Sequence, residues 1–205
     1  TDWQNSLRGY CSGLLSFLFP AFFLKGPRRV TLERWDTLNQ IRKTVGIGEL
    51  DNHASIKKIL KINFIAFPFA RAFNFIRTHI LTEKEFTGDS LADTRMVYNS
   101  LLHGRCYFAL EYFRKAQGFQ FYIEHHHDTF FMGDSFRLTH NARLSVHLPR
   151  KSYVKIIRNG NTVLESYSSS LCTSLDKAGV YRVEAYFKSF GMQRPWIFSN
   201  PIFLT

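Results

Sequence analysis

The sequence predicts an α/β region followed by an all-β domain, with the change near residue 118. Three observations carry this expectation. Before that point, two helical patterns are each followed by a short apolar run, with a glycine close to each junction. After it, helical periodicity stops and six alternating, β-branched or aromatic runs succeed one another. Between two of those runs lies Asn159-Gly160, a pair suited to a type I′ hairpin because both central residues of that turn need positive φ.

Taken in order, Leu7–Phe23 can hold one or two short helical turns before the Gly26-Pro27 break. Thr31 is the expected N-cap of the first full helix, with Arg34 at N3 and Leu32, Trp35, Leu38 and Ile41 at helical spacing, ending near Lys43. Thr44–Leu50 reads as a short strand. Ser90–His103 repeats the helical pattern through Leu91, Met96, Val97, Leu101 and Leu102, Gly104 closes it, and Cys106–Leu110 is the strand that follows. The first domain is therefore expected at 1–117 and the second at 118–205. In the second, strands are expected at Phe119–Ile123, Phe136–Leu148, Val154–Arg158, Thr162–Glu165, Val180–Phe187 and Ile197–Leu204, making an antiparallel β-sandwich of six or seven strands. Asp176, Gly179 and Tyr181 are placed as in the tyrosine corner of Ig-like sandwiches, and Pro195 and Pro201 suit an edge strand.

The 205 residues are 45% hydrophobic and 21% charged, a globular composition, and 21 phenylalanines call for generous cores. The net charge of +11 is spread over both halves, with 17 Lys/Arg against 10 Asp/Glu in residues 1–118 and 10 against 6 thereafter. Such a balance steers toward anionic partners. Because no block of five basic residues occurs and the basic residues are not interleaved with aromatics, the reading is a solvated basic surface rather than a dedicated nucleic-acid site. Cys11, Cys106 and Cys172 form no CxxC pair, so they read as buried free thiols, which favours a cytoplasmic setting. The first residues lack a signal-peptide pattern and an initiator Met, and the expectation is a start inside a longer product. Gly13–Leu24 is apolar for only 12 residues and interrupted by Pro20, short of the about 20 that a spanning helix needs. It reads as a buried core segment, the other reading being a membrane-surface or partner-docking segment flanked by Arg8, Lys25, Arg28 and Arg29.

The segment with most chemistry is Val45-Gly46-Ile47-Gly48-Glu49-Leu50-Asp51-Asn52-His53-Ala54. On an extended chain, residues two apart share a face, so Asp51 and His53 project together from the end of the 44–50 run. A carboxylate and an imidazole side by side serve a divalent metal at about 2.0–2.2 Å; the bare tripeptide also fits an ordinary loop-end ion pair. Gly46 and Gly48 leave room for neighbours to approach.

The order of motifs sharpens this: Trp35-Asp36, then the Asp51-Asn52-His53 strand end, then Arg77-Thr78-His79-Ile80-Leu81, Thr87-Gly88-Asp89 and Leu102-His103-Gly104-Arg105-Cys106-Tyr107. The chain closes with Gly179-Val180-Tyr181-Arg182-Val183-Glu184 and Arg194-Pro195-Trp196-Ile197-Phe198-Ser199-Asn200-Pro201-Ile202. The series resembles the C-terminal portion of PHP (polymerase and histidinol phosphatase) domain proteins of the CehA/McbA metallohydrolase type, over essentially all 205 residues. The resemblance implies the last part of a distorted (β/α)7 barrel followed by an Ig-like sandwich. It implies a phosphoesterase that uses water activated by two or three divalent ions (Zn, Mn or Fe) on a phosphorylated small molecule. Asp51 and His53 match the family's late Asp-x-His metal ligands. Its earlier His-x-His strand, central acidic ligand and middle histidines have no counterpart here, so the site is expected to be incomplete and inactive without an upstream half. Leu50 and Asn52 replace the family's Ser and Ala, and Glu49 replaces a Gly. Glu49 adds a carboxylate near the metals or marks decay, and the alternative function is a non-catalytic remnant acting as a basic interaction module. Proteins of this type often carry an N-terminal membrane anchor, which would lie outside this chain.

The other candidates read as structural. Glu124-His125-His126-His127-Asp128 falls at an expected sandwich turn and reads as a solvated loop, with zinc or nickel capture as the other reading. His79 and His103 read as satisfied structural histidines. Arg105 reads as a surface ion pair, with a phosphate-holding role beside it. No Gly-rich phosphate loop, nucleophile elbow or HExxH motif is present.

Overall fold

The computed structural model describes residues 26–50, 56–59, 62–65, 69–189 and 191–205. The expected turns of Leu7–Phe23, the apolar run Gly13–Leu24 and Cys11 lie outside them. The described elements are α1 (Arg29–Ile41), β1 (Ile56–Ile59), β2 (Ile62–Ile65), α2 (Phe69–Ala72), β3 (Ile76–Ile80), α3 (Ser90–His103) and β4 (Cys106–Leu110). There follow β5 (Gln120–His125), β6 (Asp128–Phe131), β7 (Ser135–Phe136), β8 (Ala142–Arg158), β9 (Asn161–Leu175), β10 (Gly179–Ser189), β11 (Met192–Ser199) and β12 (Ile202–Leu204). The architecture is mostly antiparallel β-sheet, with two described helices longer than a single turn.

Ten of these strands belong to one sheet in the order β3-β4-β11-β10-β8-β5-β6, with β9 on the far edge of β8 and β12 bridging β10 to β7. The sheet folds over itself because β8 changes partners. Its first half, residues 143–147, pairs with β5, and its second half, 153–158, pairs with β10, while β9 accompanies both halves. The ladder is irregular between His147 and Ser152, where Pro149, Arg150 and Lys151 are exposed. A proline that cannot donate to a ladder suits such a corner, and strands change layers at bends of this kind. One core fills the space between the layers, joining Phe121 and Ile123 of β5 to Leu144 and Val146 of β8, Val183 and Ala185 of β10, and Trp196 of β11.

The hairpin signal forms as read: Asn159 (φ 50°) and Gly160 (φ 83°) make the two-residue turn between Arg158 and Asn161. The Tyr181 hydroxyl donates to Lys177 O at 2.7 Å, the back-bond of a tyrosine corner. Where six or seven strands were expected after residue 118, eight form. The two expected runs on either side of Pro149 join into the 17-residue β8, and Ile197–Leu204 divides at Asn200-Pro201. Pro195 sits in β11 beside a β-bulge, at a level where β4 does not pair with that strand.

The earlier region departs further from its expectation. α1 begins at Arg29, two residues before the expected cap Thr31. Arg28 is the N-cap, extended and without a side-chain cap bond, and the fixed φ of Pro27 precedes it. Of the expected apolar positions, Trp35 is buried and Leu32 packs partly buried on the same apolar cluster, whereas Leu38 and Ile41 are exposed and Asp36 and Asn39 are buried in their place, claimed by polar partners. α3 and β4 form as read. Asp89 caps α3 through Ala92 N at 2.7 Å, and Gly104 closes it in the left-handed region. β3 and β4 pair antiparallel, and β4 joins β11, so the ten-stranded sheet runs across residue 118. The expected strand Thr44–Leu50 joins no ladder.

Candidate functional site

Asp51 and His53, the expected metal ligands, lie outside the described residues. What is described is the track that leads to them. Residues 44–48 are held by side chains rather than by a neighbouring strand. Trp35 Nε1 donates to Thr44 O at 2.7 Å, and Thr44 N donates to Asn39 Oδ1 at 2.9 Å. Gly46 N donates to Asn200 Oδ1 at 2.7 Å, and Asn200 Nδ2 returns a bond to Gly46 O at 2.9 Å. Gly48 N donates to Thr78 Oγ1 at 3.1 Å, and that hydroxyl donates to Gly48 O at 2.9 Å. Every second residue is therefore fixed through its backbone. This is strand-like spacing, and it explains why the run reads as a strand although no ladder forms.

Both glycines are required here by close approach. A Cβ at Gly46 would stand 2.5 Å from the Trp35 ring, and one at Gly48 would stand 2.6 Å from Phe108 Cβ. Those neighbours belong to a small apolar cluster of Trp35, Phe108, Leu110 and Phe198. The intervening residues Ile47 and Glu49 are exposed, and Leu50 is partly buried. Asn200 also donates to Cys106 O at 2.9 Å and to Cys106 Sγ at 3.1 Å. Burial pushes the Cys106 thiol up to about 11, against the weaker opposing pull of Asn200, which leaves it an unreactive core group.

Trp35 and Asp36 are fixed in turn by β10. Arg182, 2% exposed, donates to both oxygens of Asp36, at 2.5 and 2.7 Å, and to Glu184 Oε1 at 2.6 Å. Tyr186 Oη donates to Glu184 Oε2 at 2.6 Å, and the guanidinium lies 5.3 Å from the Trp35 ring centre. Burial alone would lower the Arg182 pKa. The hydrogen bond to Asp36 and the charges of Glu184 and Asp36 outweigh it and hold the group above its ordinary value. Burial, reinforced by the charge of Glu184, raises the Tyr186 hydroxyl. The motif residues Trp35, Asp36, Gly46, Cys106, Arg182, Glu184 and Asn200, far apart in sequence, thus meet in one assembly that seats α1 and the 44–48 track on the sheet. The sequence carried a usable signal for it: Arg182, Glu184 and Tyr186 alternate with apolar residues in a buried strand, and buried charges demand partners.

The remaining candidates are placed as follows. His79 Nε2 pairs with Glu111 at 2.8 Å and stacks on Tyr107 at 4.5 Å, a satisfied structural histidine. Burial works to raise the Glu111 carboxyl, but bonds from Ala116 N and His79 prevail and lower it. His103 is exposed and bonds to Asn99 O at 2.8 Å. Arg105 pairs with Glu83 at 2.9 Å and Asp134 at 3.3 Å, the ion-pair reading. Cys172, expected to be buried, is exposed on the outer strand β9, where Arg143 Nε stands 2.8 Å from its sulfur. The histidine run forms the β5–β6 turn, with His126 at φ 56°. His125 is buried there against Phe136, while His126 and His127 are exposed. A histidine absent from the sequence argument, His140, joins them: His125, His126 and His140 all stand within 3.4 Å of the Thr139 hydroxyl. Among the described residues no group of three or more His, Cys, Asp or Glu is arranged to hold a metal ion. Comparison with protein families, curated proteins and solved structures finds no match to this chain. No described helix is long and apolar enough to cross a membrane.

Proposed function

We propose that the chain is the C-terminal part of a PHP-type metal-dependent phosphoesterase, comprising the last part of the barrel and an Ig-like sandwich, with Asp51 and His53 as two of its metal ligands. The observation that carries this reading is the side-chain-held track at residues 44–48. It is a hydrogen-bonded approach, buttressed by the residues of the resemblance, that ends three positions before Asp51 in sequence. Gly46 and Gly48 face the apolar cluster while Ile47 and Glu49 face outward. In sequence, Asp51 and His53 have the parity of Ile47 and Glu49, and residues two apart on an extended chain share a face. A hard carboxylate oxygen and an imidazole nitrogen suit zinc, manganese or iron, and the bound ions supply an activated water and neutralise phosphate charge. Two ligands do not hold such a cluster, so the remainder comes from an upstream half.

The test is aryl-phosphate hydrolysis with manganese or zinc, for this chain alone and with the upstream half supplied. Activity is expected only in the second case and is abolished by Asp51→Ala. Turnover by the isolated chain that Asp51→Ala removes would contradict the predicted dependence on a second half. Unaltered turnover of the completed protein carrying Asp51→Ala would remove the assignment itself.

A further inference from the structure

A cleft of about 420 Å³ opens between α3 and the connection that leads into it from β3. The helix side presents Arg95, Asn99 and His103, which stand four residues apart and so share one face. Glu83 and Lys84 of the connection and Arg105, just before β4, join them in the lining. Glu83 is the one acid among the lining residues, and it is engaged. Its Oε1 accepts from Arg105 Nη1 at 2.9 Å, while Asp134 Oδ1 accepts from Arg105 Nη2 at 3.3 Å. Arg105 is thereby fixed in place with its charge met. Lys84 and Arg95 differ: among the described residues neither makes an ion pair or a side-chain hydrogen bond. The carboxylates at the head of α3 are committed elsewhere. Asp89 accepts from Ala92 N at 2.7 Å, and Asp93 accepts from Thr87 N at 2.8 Å and Gly88 N at 2.9 Å.

Two such cations on one cleft call for an anion, and the lining narrows its kind. The C-terminal end of α3 would repel an anion if its carbonyls were bare. They are covered: His103 Nδ1 donates to Asn99 O at 2.8 Å, Arg105 N to Ser100 O at 2.8 Å and Gly104 N to Leu101 O at 3.0 Å. With Nδ1 donating, the neutral His103 ring keeps Nε2 as an acceptor for a ligand hydroxyl. Ala92 and Met96 supply the apolar part of the lining. No Phe, Tyr or Trp lines the cleft, so a nucleobase finds no stacking face. Its volume lies in the range of about 300–1,000 Å³ usual for small-molecule sites. A phosphate dianion offers charge and acceptor oxygens to both cations at once, which a single carboxylate does not match.

We propose that this cleft binds the phosphate monoester of a small aliphatic molecule. Lys84 and Arg95 hold the phosphate, Asn99 and His103 bond its oxygens and a neighbouring hydroxyl, and Ala92 and Met96 take the carbon chain. The test is isothermal titration calorimetry of the 205-residue chain with glycerol 3-phosphate, in metal-free buffer so that the outcome is separate from that of the metal-ligand reading. In about 0.15 M salt, which screens charges more than about 8 Å away, saturable binding is expected at a Kd of about 1 mM or tighter, with none to glycerol. The double variant Lys84→Gln/Arg95→Gln should weaken it at least about tenfold at an unchanged melting temperature, and Lys84→Gln alone, outside any helix, by about threefold or more. Arg150→Gln/Lys151→Gln removes the same charge from the exposed corner of β8 and should leave the Kd within about twofold. The proposal is overturned by a parent chain that binds no glycerol 3-phosphate, by undiminished binding of the folded variants at Lys84 and Arg95, or by an equal loss in the corner variant, which would mean attraction to net charge alone. Binding only to vesicles bearing phosphatidic acid, and not to the soluble ester, would likewise remove it.

Discussion

The β-rich half and the region before it are held together by different physics. Between the sheet layers the contacts are apolar and close-packed, with Trp196, Phe121, Ile123, Leu144 and Ile156 below 2% exposure. α1 and the 44–48 track instead attach through Arg182, Asn200, Thr78 and the Trp35 indole over a four-residue apolar cluster. The same region leaves Phe69, Phe73, Phe86, Leu91, Tyr98 and Leu102 half exposed or more. Apolar burial is non-directional and sets stability. Hydrogen-bonded charges set position, and a buried ion pair adds little net stability while being costly to break. The first region is therefore organised for placement, and several of its described apolar side chains are exposed.

That contrast can be broken most sharply at its centres. Trp196→Ala in the core is expected to cost about 3–5 kcal/mol in chemical denaturation. Arg182→Met should cost a similar amount, about 3–5 kcal/mol, by stranding two buried carboxylates. Only the second loss should be largely recovered by adding Asp36→Asn and Glu184→Gln, and failure to recover would mean that the assembly stabilises through packing. Asn200→Ala is expected to cost about 1–3 kcal/mol, because it strands Gly46 N and O. Limited proteolysis should then cut within residues 44–50 while the β-rich half resists; cleavage unchanged from the parent would show that Thr78 and Trp35 suffice. At His125, burial and the neighbouring His126 and His140 lower the pKa below the ordinary value. The neutral form is the one the fold favours. Its contribution is fully present above about pH 6.5 and is lost as pH falls from there toward the lowered value. Melting temperatures across that window should fall for the parent and flatten for His125→Gln. Leu102→Ala, on the outward face of α3, is expected to change stability by less than about 0.5 kcal/mol; a larger loss would show that the face is covered.

The difference between the regions also governs what could be read from the sequence. Local rules were sufficient for Ser90–His103, where cap, periodicity and closing glycine agree, and for Asn159-Gly160, where turn chemistry leaves little choice. They placed Leu32 and Trp35 of α1 on the buried side but also Leu38 and Ile41, which are exposed, because Asp36 is drawn inward by Arg182, 146 residues away, and no periodicity encodes such a partner. Thr44–Leu50 carries strand-like spacing without a strand, since Asn200 and Thr78 mimic a neighbouring ladder. Cys172 is exposed because β9 has β8 on one side only, which composition does not reveal. Around the candidate site, the glycines and the motif residues were legible as a set. Their shared role as a mount for the 44–48 track emerges only when 154 positions of sequence separation close between Gly46 and Asn200.

The corner at Pro149–Lys151 has a consequence for how the β-rich half comes apart. Because a single strand of 17 residues serves both layers, neither layer owns a complete set of strands. Peeling β5 away disturbs the backbone that also carries β10, and a tear begun on one side propagates through the bend to the other. Amide protons on the two flanks of the corner should therefore exchange with solvent at matched rates, in one all-or-none opening.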